Sequence, residues 1–350
     1  MPEDQQLDAL REKAVKQQLD ISRVYPYGNV QELYDAIRTG DRQSLARAIT
    51  LAESHLKEDR DKTAQLIQLG LSYLHTARRI GITGIPGVGK STLINALAGR
   101  MADKGNRVAI LTIDPSSPQS KGSILGDKTR MQDLITREHV FIRPSPSGNK
   151  LGGVSLRTRE AACLCEIAGF DTILIETVGV GQSETDISNM TDFFLLLALP
   201  GAGDDLQGIK RGIIELADAI FVNKADGAMA KLAEVATQTY KQSLLHFPSK
   251  ANKWTPVVLS GAALSGEGVD HLLDVTDHFF QLLTQNGCLA ANRERQNKLW
   301  MHDALQEMIA LRLSDPVAQS LIEKMEPPVA HKEISAIAAA TAIFRELFQQ

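Results

Sequence analysis

Three glycines, a lysine and a serine hydroxyl fall into one spacing, G-x-x-x-x-G-K-S, at Gly84-Ile85-Pro86-Gly87-Val88-Gly89-Lys90-Ser91. Gly84, Gly87 and Gly89 let a backbone turn tightly and aim its N–H groups at phosphate oxygens with no Cβ in the way. Lys90 brings a point charge for β- and γ-phosphates, and Ser91 brings a hydroxyl for Mg²⁺. Val88 inside the loop and Thr92 at the start of the following helix complete the phosphate-binding set, where the helix N-terminus adds partial positive charge. The motif requires a strand before it and a helix after it. An apolar run from Ile80 to Thr83 precedes it and a helical pattern from Thr92 to Ala98 follows.

A second group could select a base. Asn223-Lys224-Ala225-Asp226 follows an apolar run, and the Asp226 carboxylate can accept both the N1–H and the exocyclic N2–H of guanine, donors that adenine lacks. Ser260-Gly261-Ala262, at another strand end, is expected to present a backbone N–H to guanine O6. Two carboxylates are candidates for Mg²⁺, which takes few protein oxygens alongside phosphates and waters. Glu176 opens the loop Glu176-Thr177-Val178-Gly179, whose Gly179 N–H is placed to meet a γ-phosphate, and Asp114 ends the run 108–113. The bound species implied is GTP or GDP with Mg²⁺.

The elements that must position these groups can be read from periodicity. Residues 1–78 carry apolar positions at helical spacing and form an expected N-terminal helical region. Residues 79–286 alternate strand and helix, with strands expected at 79–83, 108–113, 140–143, 172–177, 193–199, 219–223 and 257–260. Their continuous apolar character predicts an α/β fold with a mostly parallel, roughly seven-stranded sheet covered on both faces, its ligands at the strand C-terminal ends. Residues 287–350 read as a helical extension, with Trp300, Leu305, Ile309 and Leu313 on one face. Breaks are expected at Asp315-Pro316 and at Glu326-Pro327-Pro328. By periodicity that extension is equally an intramolecular cover or a dimer arm. With 350 residues, 43% hydrophobic, and a net charge of −4, the chain is expected to bind neither nucleic acid nor membrane. Three cysteines, and a polar start with no apolar signal region, predict a cytoplasmic protein.

Five blocks carry a family resemblance: Gly84 to Ser91, the run Asp114-Pro115-Ser116-Ser117-Pro118, residues 122–131, Glu176 to Glu184, and Gly203 to Lys210. They closely resemble the GTPases associated with methylmalonyl-CoA mutase, a family formerly labelled lysine/arginine/ornithine transport-system kinases. The resemblance spans about residues 30–345. It implies a P-loop GTPase fold with helical extensions at both ends, a homodimer built through the C-terminal extension, and an adenosylcobalamin-dependent methylmalonyl-CoA mutase as partner, whose cofactor loading the protein gates. It also implies phosphate and Mg²⁺ roles for Lys90, Ser91, Asp114, Asp127 and Glu176, with Lys90 and Glu176 catalytic. Base reading then falls to Asn223, Lys224 and Asp226, and residues 203–210 correspond to a mobile switch. Residues 1–28 match poorly.

Two rival functions remain open on sequence alone. A nickel-insertion GTPase needs a Cys/His relay, yet Cys163 and Cys165 on a helix point about 200° apart, and His271 and His278 have no third ligand nearby in sequence. A small-molecule or protein kinase of a transport system needs an acceptor other than water. Gln182 and Glu184 follow the Glu176 loop without occupying the position after its glycine, so no catalytic base is assigned. Arg130 and Arg143 are available as charges for a transition state.

Overall fold

The computed structural model describes residues 29–54, 56–74, 77–114, 132–146, 153–177, 183–201, 211–248 and 250–348. Three helices come first: α1 (Val30–Arg38), α2 (Arg42–Glu53) and α3 (Lys57–Leu69). The carboxamide oxygen of Asn29 accepts from the Glu32 N–H at 2.9 Å, and the Asp41 carboxylate accepts from Ser44 at 3.0 Å, so both starts are capped by side chains. Their buried residues, among them Leu33, Ile37, Leu45 and Leu66, join one core cluster with the strand residues Leu111 and Ile173. The helices therefore cap one sheet face.

The sheet holds seven strands: β1 (Arg78–Gly84), β2 (Val108–Asp114), β3 (Val140–Pro146), β4 (Thr172–Glu176), β5 (Phe193–Ala198), β6 (Ala219–Val222) and β7 (Val257–Ser260). Their order is β3-β2-β4-β1-β5-β6-β7, and every neighbouring pair is parallel. Strand β5 explains why the runs looked continuously apolar. Phe193, Leu195 and Leu197 belong to the core on one face, and Phe194, Leu196 and Ala198 to the core on the other. The first of these cores is closed by α4 (Lys90–Asp103) and α10 (Val269–Gln285), the second by α1 to α3, α6 (Gly153–Ile167) and α9 (Ala230–Leu244). Short helices α5 (Gln132–Ile135), α7 (Ser183–Ser188) and α8 (Arg211–Leu216) fill the remaining connections.

The chain then leaves the sheet through α11 (Cys288–Leu313), α12 (Pro316–Ala330) and α13 (Ala336–Phe348). The expected break at residues 315–316 is there: Asp315 caps α12 and Pro316 takes its first position. The expected break at Pro327-Pro328 is not. Both prolines lie in the last turn of α12, where their carbonyls still accept from His331 and Glu333 at 2.9 Å, and the helix ends only at Ala330. A proline near a helix C-terminus gives up its own N–H bond but leaves the later carbonyls usable. The reversal falls at Lys332, whose φ is +58°.

Candidate functional site

The loop between β1 and α4 is built around its glycines. Gly84 has φ +150°, and a Cβ there would lie 2.7 Å from the Leu197 carbonyl oxygen. Gly89 has φ +99°, and a Cβ there would lie 2.5 Å from Asn223 Nδ2. Only glycine permits the loop this close to β5 and to the loop after β6. Gly89 stands at the N-cap of α4 with no side-chain cap, so the first-turn N–H groups of Lys90, Ser91 and Thr92 face the loop, as an anion site requires. Lys90 is buried, and its Nζ donates to the carbonyls of Gly84 at 2.8 Å and Ile85 at 3.3 Å. Val88 is fully buried beneath the loop.

At the end of β4, Glu176 turns toward the same helix. Ser91 Oγ donates to Glu176 Oε1 at 3.1 Å, and both residues are buried. Octahedral Mg²⁺ bonds oxygens at about 2.0–2.1 Å, so adjacent ligands sit about 3 Å apart. The Ser91 and Glu176 oxygens have that spacing and that hard-oxygen chemistry, and the pair fits the ion. Asp114 closes β2 two strands from β1, as the sheet order requires, and its side chain lies outside the described residues, as do Asp127 and Gly179. Gln182, Arg130 and the run 203–210 lie outside them too.

Asn223 joins the two halves of the site. Its Nδ2 donates to the Val88 carbonyl at 2.8 Å and its Oδ1 accepts from the Ala263 N–H at 2.9 Å, so one buried amide clamps the phosphate loop to the loop after β7. Lys224, with φ +58°, lays its Nζ on the Gly87 carbonyl at 2.9 Å. Asp226 is exposed at the head of a short 3₁₀ turn, Gly227–Met229. Asn223 and Lys224 thus both bond carbonyls of the phosphate loop.

Ser260-Gly261-Ala262 converges differently. The Gly261 N–H donates to the Val222 carbonyl and the Ala262 N–H to the Glu267 carbonyl, each at 3.0 Å. The first donor ties the loop to β6 and the second closes the loop on itself, so both are spent within the protein. The Ala263 N–H is taken by Asn223, which brings the next residue, Leu264, to the outer edge with its side chain 89% exposed. A backbone N–H is carried by any residue type, so the sequence does not show which of these donors are spent within the protein. Thr83 and Thr177 were also missed: their hydroxyls are hydrogen-bonded at 2.9 Å, buried between β1 and β4.

Other candidates separate from the site. Arg143 ion-pairs with Glu53 on α2, with Nε at 3.3 Å from Oε1, and Ser145 Oγ donates to the same carboxylate at 2.6 Å. It serves the helical cap. Cys163 and Cys165 are fully buried on α6, and burial pushes the Cys163 thiol up to about 12 and raises Cys165 as well, so both are protonated thiols shut away from a metal. His271 is exposed, and His278 meets Trp254 edge-on at 5.7 Å. Among the described residues no cluster of three His, Cys, Asp or Glu side chains could hold a metal, and no helix is long and apolar enough to cross a membrane.

The family model of the methylmalonyl-CoA mutase-associated GTPase MeaB matches residues 45–317. The chain belongs to that family. The matched span holds the phosphate loop, Glu176, Asn223 to Asp226 and the loop after β7, and it ends inside α12. The GTPase ArgK of Escherichia coli is 43% identical over 78% of this chain and 82% of its own length. The methylmalonic aciduria type A homolog of Mus musculus, a mitochondrial protein, is 40% identical over 90% of this chain and 79% of its own. A crystal structure described as LAO/AO transport system kinase superposes with a TM-score of 0.69 at 32% identity, covering 92% of this chain and 98% of that one. Family and fold therefore agree with the resemblance seen in the motifs.

Proposed function

We propose that this chain is a cytoplasmic, Mg²⁺-dependent GTPase that hydrolyses GTP to GDP and phosphate. Its role is that of a chaperone for an adenosylcobalamin-dependent methylmalonyl-CoA mutase, gating cofactor loading and protecting the enzyme. The observation that carries the GTPase reading is the Asn223 clamp. One buried amide ties the carbonyl of Val88 in the phosphate loop to the loop after β7, with Asp226 three residues away, so phosphate and base contacts are held at fixed separation. Base reading rests on the Asp226 carboxylate and on a backbone N–H beyond Ala263.

In-line attack of water on a γ-phosphate leaves little covalent work for the protein, and catalysis is positioning and charge stabilisation. The first-turn N–H groups of α4 and the Lys90 ammonium hold the phosphate oxygens, and Ser91 and Glu176, with Asp114 and Asp127 as further candidates, would hold the metal. Mg²⁺, when bound, neutralises developing charge on the bridging oxygens. Arg143 is committed to Glu53 and is not assigned as a finger, and slow intrinsic turnover with stimulation by the partner is expected. The buried thiols speak against a nickel relay.

The same chain is proposed to dimerise through its C-terminal helices. On α11, Met301, Leu305 and Met308 are 61%, 54% and 61% exposed, and on α13 Ile337 and Phe344 are 81% and 54% exposed. Apolar faces of that kind favour burial against a second copy. Phosphate release from GTP, measured with and without purified methylmalonyl-CoA mutase, tests the whole reading. Mutase is expected to accelerate the parent, and Lys90→Ala is expected to lose hydrolysis while remaining folded. Equal rates with and without mutase would remove the partner, and label from γ-phosphate appearing on an acceptor other than water would make the protein a kinase.

A further inference from the structure

The loop after β7 has an inner leg, residues 261–263, and an outer leg, residues 264–268, and the two are anchored from different elements. The inner leg is held by the loop after β6: the Gly261 carbonyl accepts from the Ala225 N–H at 3.0 Å, and the Ala263 N–H donates to Asn223 Oδ1 at 2.9 Å. The outer leg is held by α4. Arg100 Nη2 donates to the Gly266 carbonyl at 3.0 Å, and Arg100 Nε pairs at 2.8 Å with Asp270 in the first turn of α10. Gly266 makes room for that contact, since at its φ of +82° an added Cβ would lie 2.6 Å from Arg100 Nη2. Among the described residues, Arg100 is the one side chain from another element that bonds a backbone group of the outer leg.

The legs also differ in what their N–H groups do. Those of Gly261, Ala262 and Ala263 are spent on Val222, Glu267 and Asn223. The Gly266 N–H closes the turn on the Ala262 carbonyl at 2.9 Å, and Ser265 Oγ donates to the same oxygen at 3.2 Å. At the tip of the turn, the N–H groups of Leu264 and Ser265 have no acceptor among the described residues. Where those two donors lie depends on the outer leg, and so on α4. The same helix presents the first-turn N–H groups of the phosphate loop, and Arg100 follows Lys90 further along it, by about 15 Å of helical rise. The helix is thus a second tie between phosphate loop and base loop, independent of Asn223. Asp270 is 74% exposed, and exposed ion pairs add little to stability, so the effect of the Arg100 contacts falls on the placing of the loop.

We propose that Arg100 is a positioning residue for base selection: by holding the Gly266 carbonyl to α4, it places the Leu264 and Ser265 N–H groups to meet the 6-oxo group of a guanine nucleotide. This inference rests on the GTPase reading and adds to it a residue outside the nucleotide motifs. Adenine carries an amino donor where guanine carries that oxygen, so N–H groups fixed in this place favour guanine.

The test is calorimetric titration of the full chain with GDP and, in competition, with ADP. The two share ribose and diphosphate, so a disturbed phosphate loop weakens both, whereas a displaced base loop weakens GDP alone. Arg100→Met keeps the aliphatic stem and is expected to weaken GDP about tenfold, the scale of one lost charge-assisted hydrogen bond, and ADP less than about twofold. Arg100→Lys is expected to recover most of that loss, because it keeps a charged donor for the same carbonyl. Asp270→Ala removes only the exposed partner of the guanidinium and is expected to weaken GDP about twofold, with ADP unchanged. Equal weakening of GDP and ADP by Arg100→Met, or weakening of neither, would overturn the inference and leave Arg100 a brace between α4 and α10. A parent that binds GDP no more tightly than ADP would instead overturn the guanine reading on which the inference stands.

Discussion

Two buried polar regions divide the molecule's charge between them. At the C-terminal ends of the strands, Lys90, Ser91, Glu176 and Asn223 are held by hydrogen bonds to loop backbone groups and, for Ser91 and Glu176, to one another. Along the seam where α11 docks, the contacts are charged and redundant. Arg293 Nε donates to Asp192 Oδ1 at 2.9 Å and its Nη2 to Oδ2 at 2.7 Å, while the Arg79 N–H also reaches that carboxylate at 3.0 Å. Arg79 pairs with Glu166 at 2.8 Å, Arg159 with Asp303 at 3.6 Å, and Arg157 with Glu307 at 3.0 Å.

The seam carries strongly perturbed titrating groups. Burial pushes Glu160 up to about 7 against the opposing pull of Arg157 and Arg60, with Glu307 adding repulsion. Arg159 is lowered, chiefly by burial. A search for perturbed acids and bases would therefore land on the seam, although perturbation accompanies structural ion pairs as readily as active sites. What separates the two regions is saturation. Asp192 has its oxygens spent on protein donors, whereas the start of α4 has no side-chain cap and glycines that leave room for a ligand.

The contrast breaks first at Arg293. Removing one partner of a buried pair leaves the other charge uncompensated, at a cost of about 3–5 kcal/mol. Arg293→Met is expected to lose stability on that scale in denaturant unfolding, with GDP affinity of the folded protein unchanged. The neutralised double variant Asp192→Asn, Arg293→Met is expected to cost less than the single one. A change in GDP affinity without loss of stability would place Arg293 in the nucleotide's reach and erase the distinction between the regions.

Glu160 sharpens the same contrast through pH. Its folded pKa lies above its ordinary value of 4.5, so between 4.5 and about 7 the folded chain keeps a proton that the unfolded chain has released. The stabilisation is full below that window and is lost as pH rises through it. Glu160→Gln is expected to flatten this part of the stability curve and to raise the unfolding free energy at pH 8 relative to the parent, by an amount on the order of 1–3 kcal/mol. Hydrolysis should keep its pH profile. A parent curve that is already flat from pH 5 to 8 would contradict the assignment.

The glycine spacing at 84–91, the Asn223 motif and the apolar runs of β1 to β7 were legible because each is local: residue type at fixed spacing sets the backbone. The seam was not, since Arg293 meets Asp192 across 101 positions and no periodicity links them. The commitment of Arg143 was hidden for the same reason, its partner Glu53 lying 90 positions away. The commitments of the Gly261 and Ala262 donors were not legible either, because Val222 and Glu267 accept from backbone groups that no side chain announces. Pro327 and Pro328 read as a break only when their place in the last turn of α12 is unknown.

The smallest effect bears most directly on what the strand ends are for. Asp226→Asn exchanges a carboxylate proposed to accept from guanine for an amide that can donate to the C2 carbonyl of xanthine. In calorimetric competition among GTP, ATP and xanthosine triphosphate, the parent is expected to prefer GTP, and Asp226→Asn to shift toward xanthosine triphosphate by at least about tenfold, the scale of one mispaired polar group. Equal affinity of the parent for GTP and ATP, or an Asp226→Asn variant that still prefers GTP as the parent does, would contradict guanine recognition at this site.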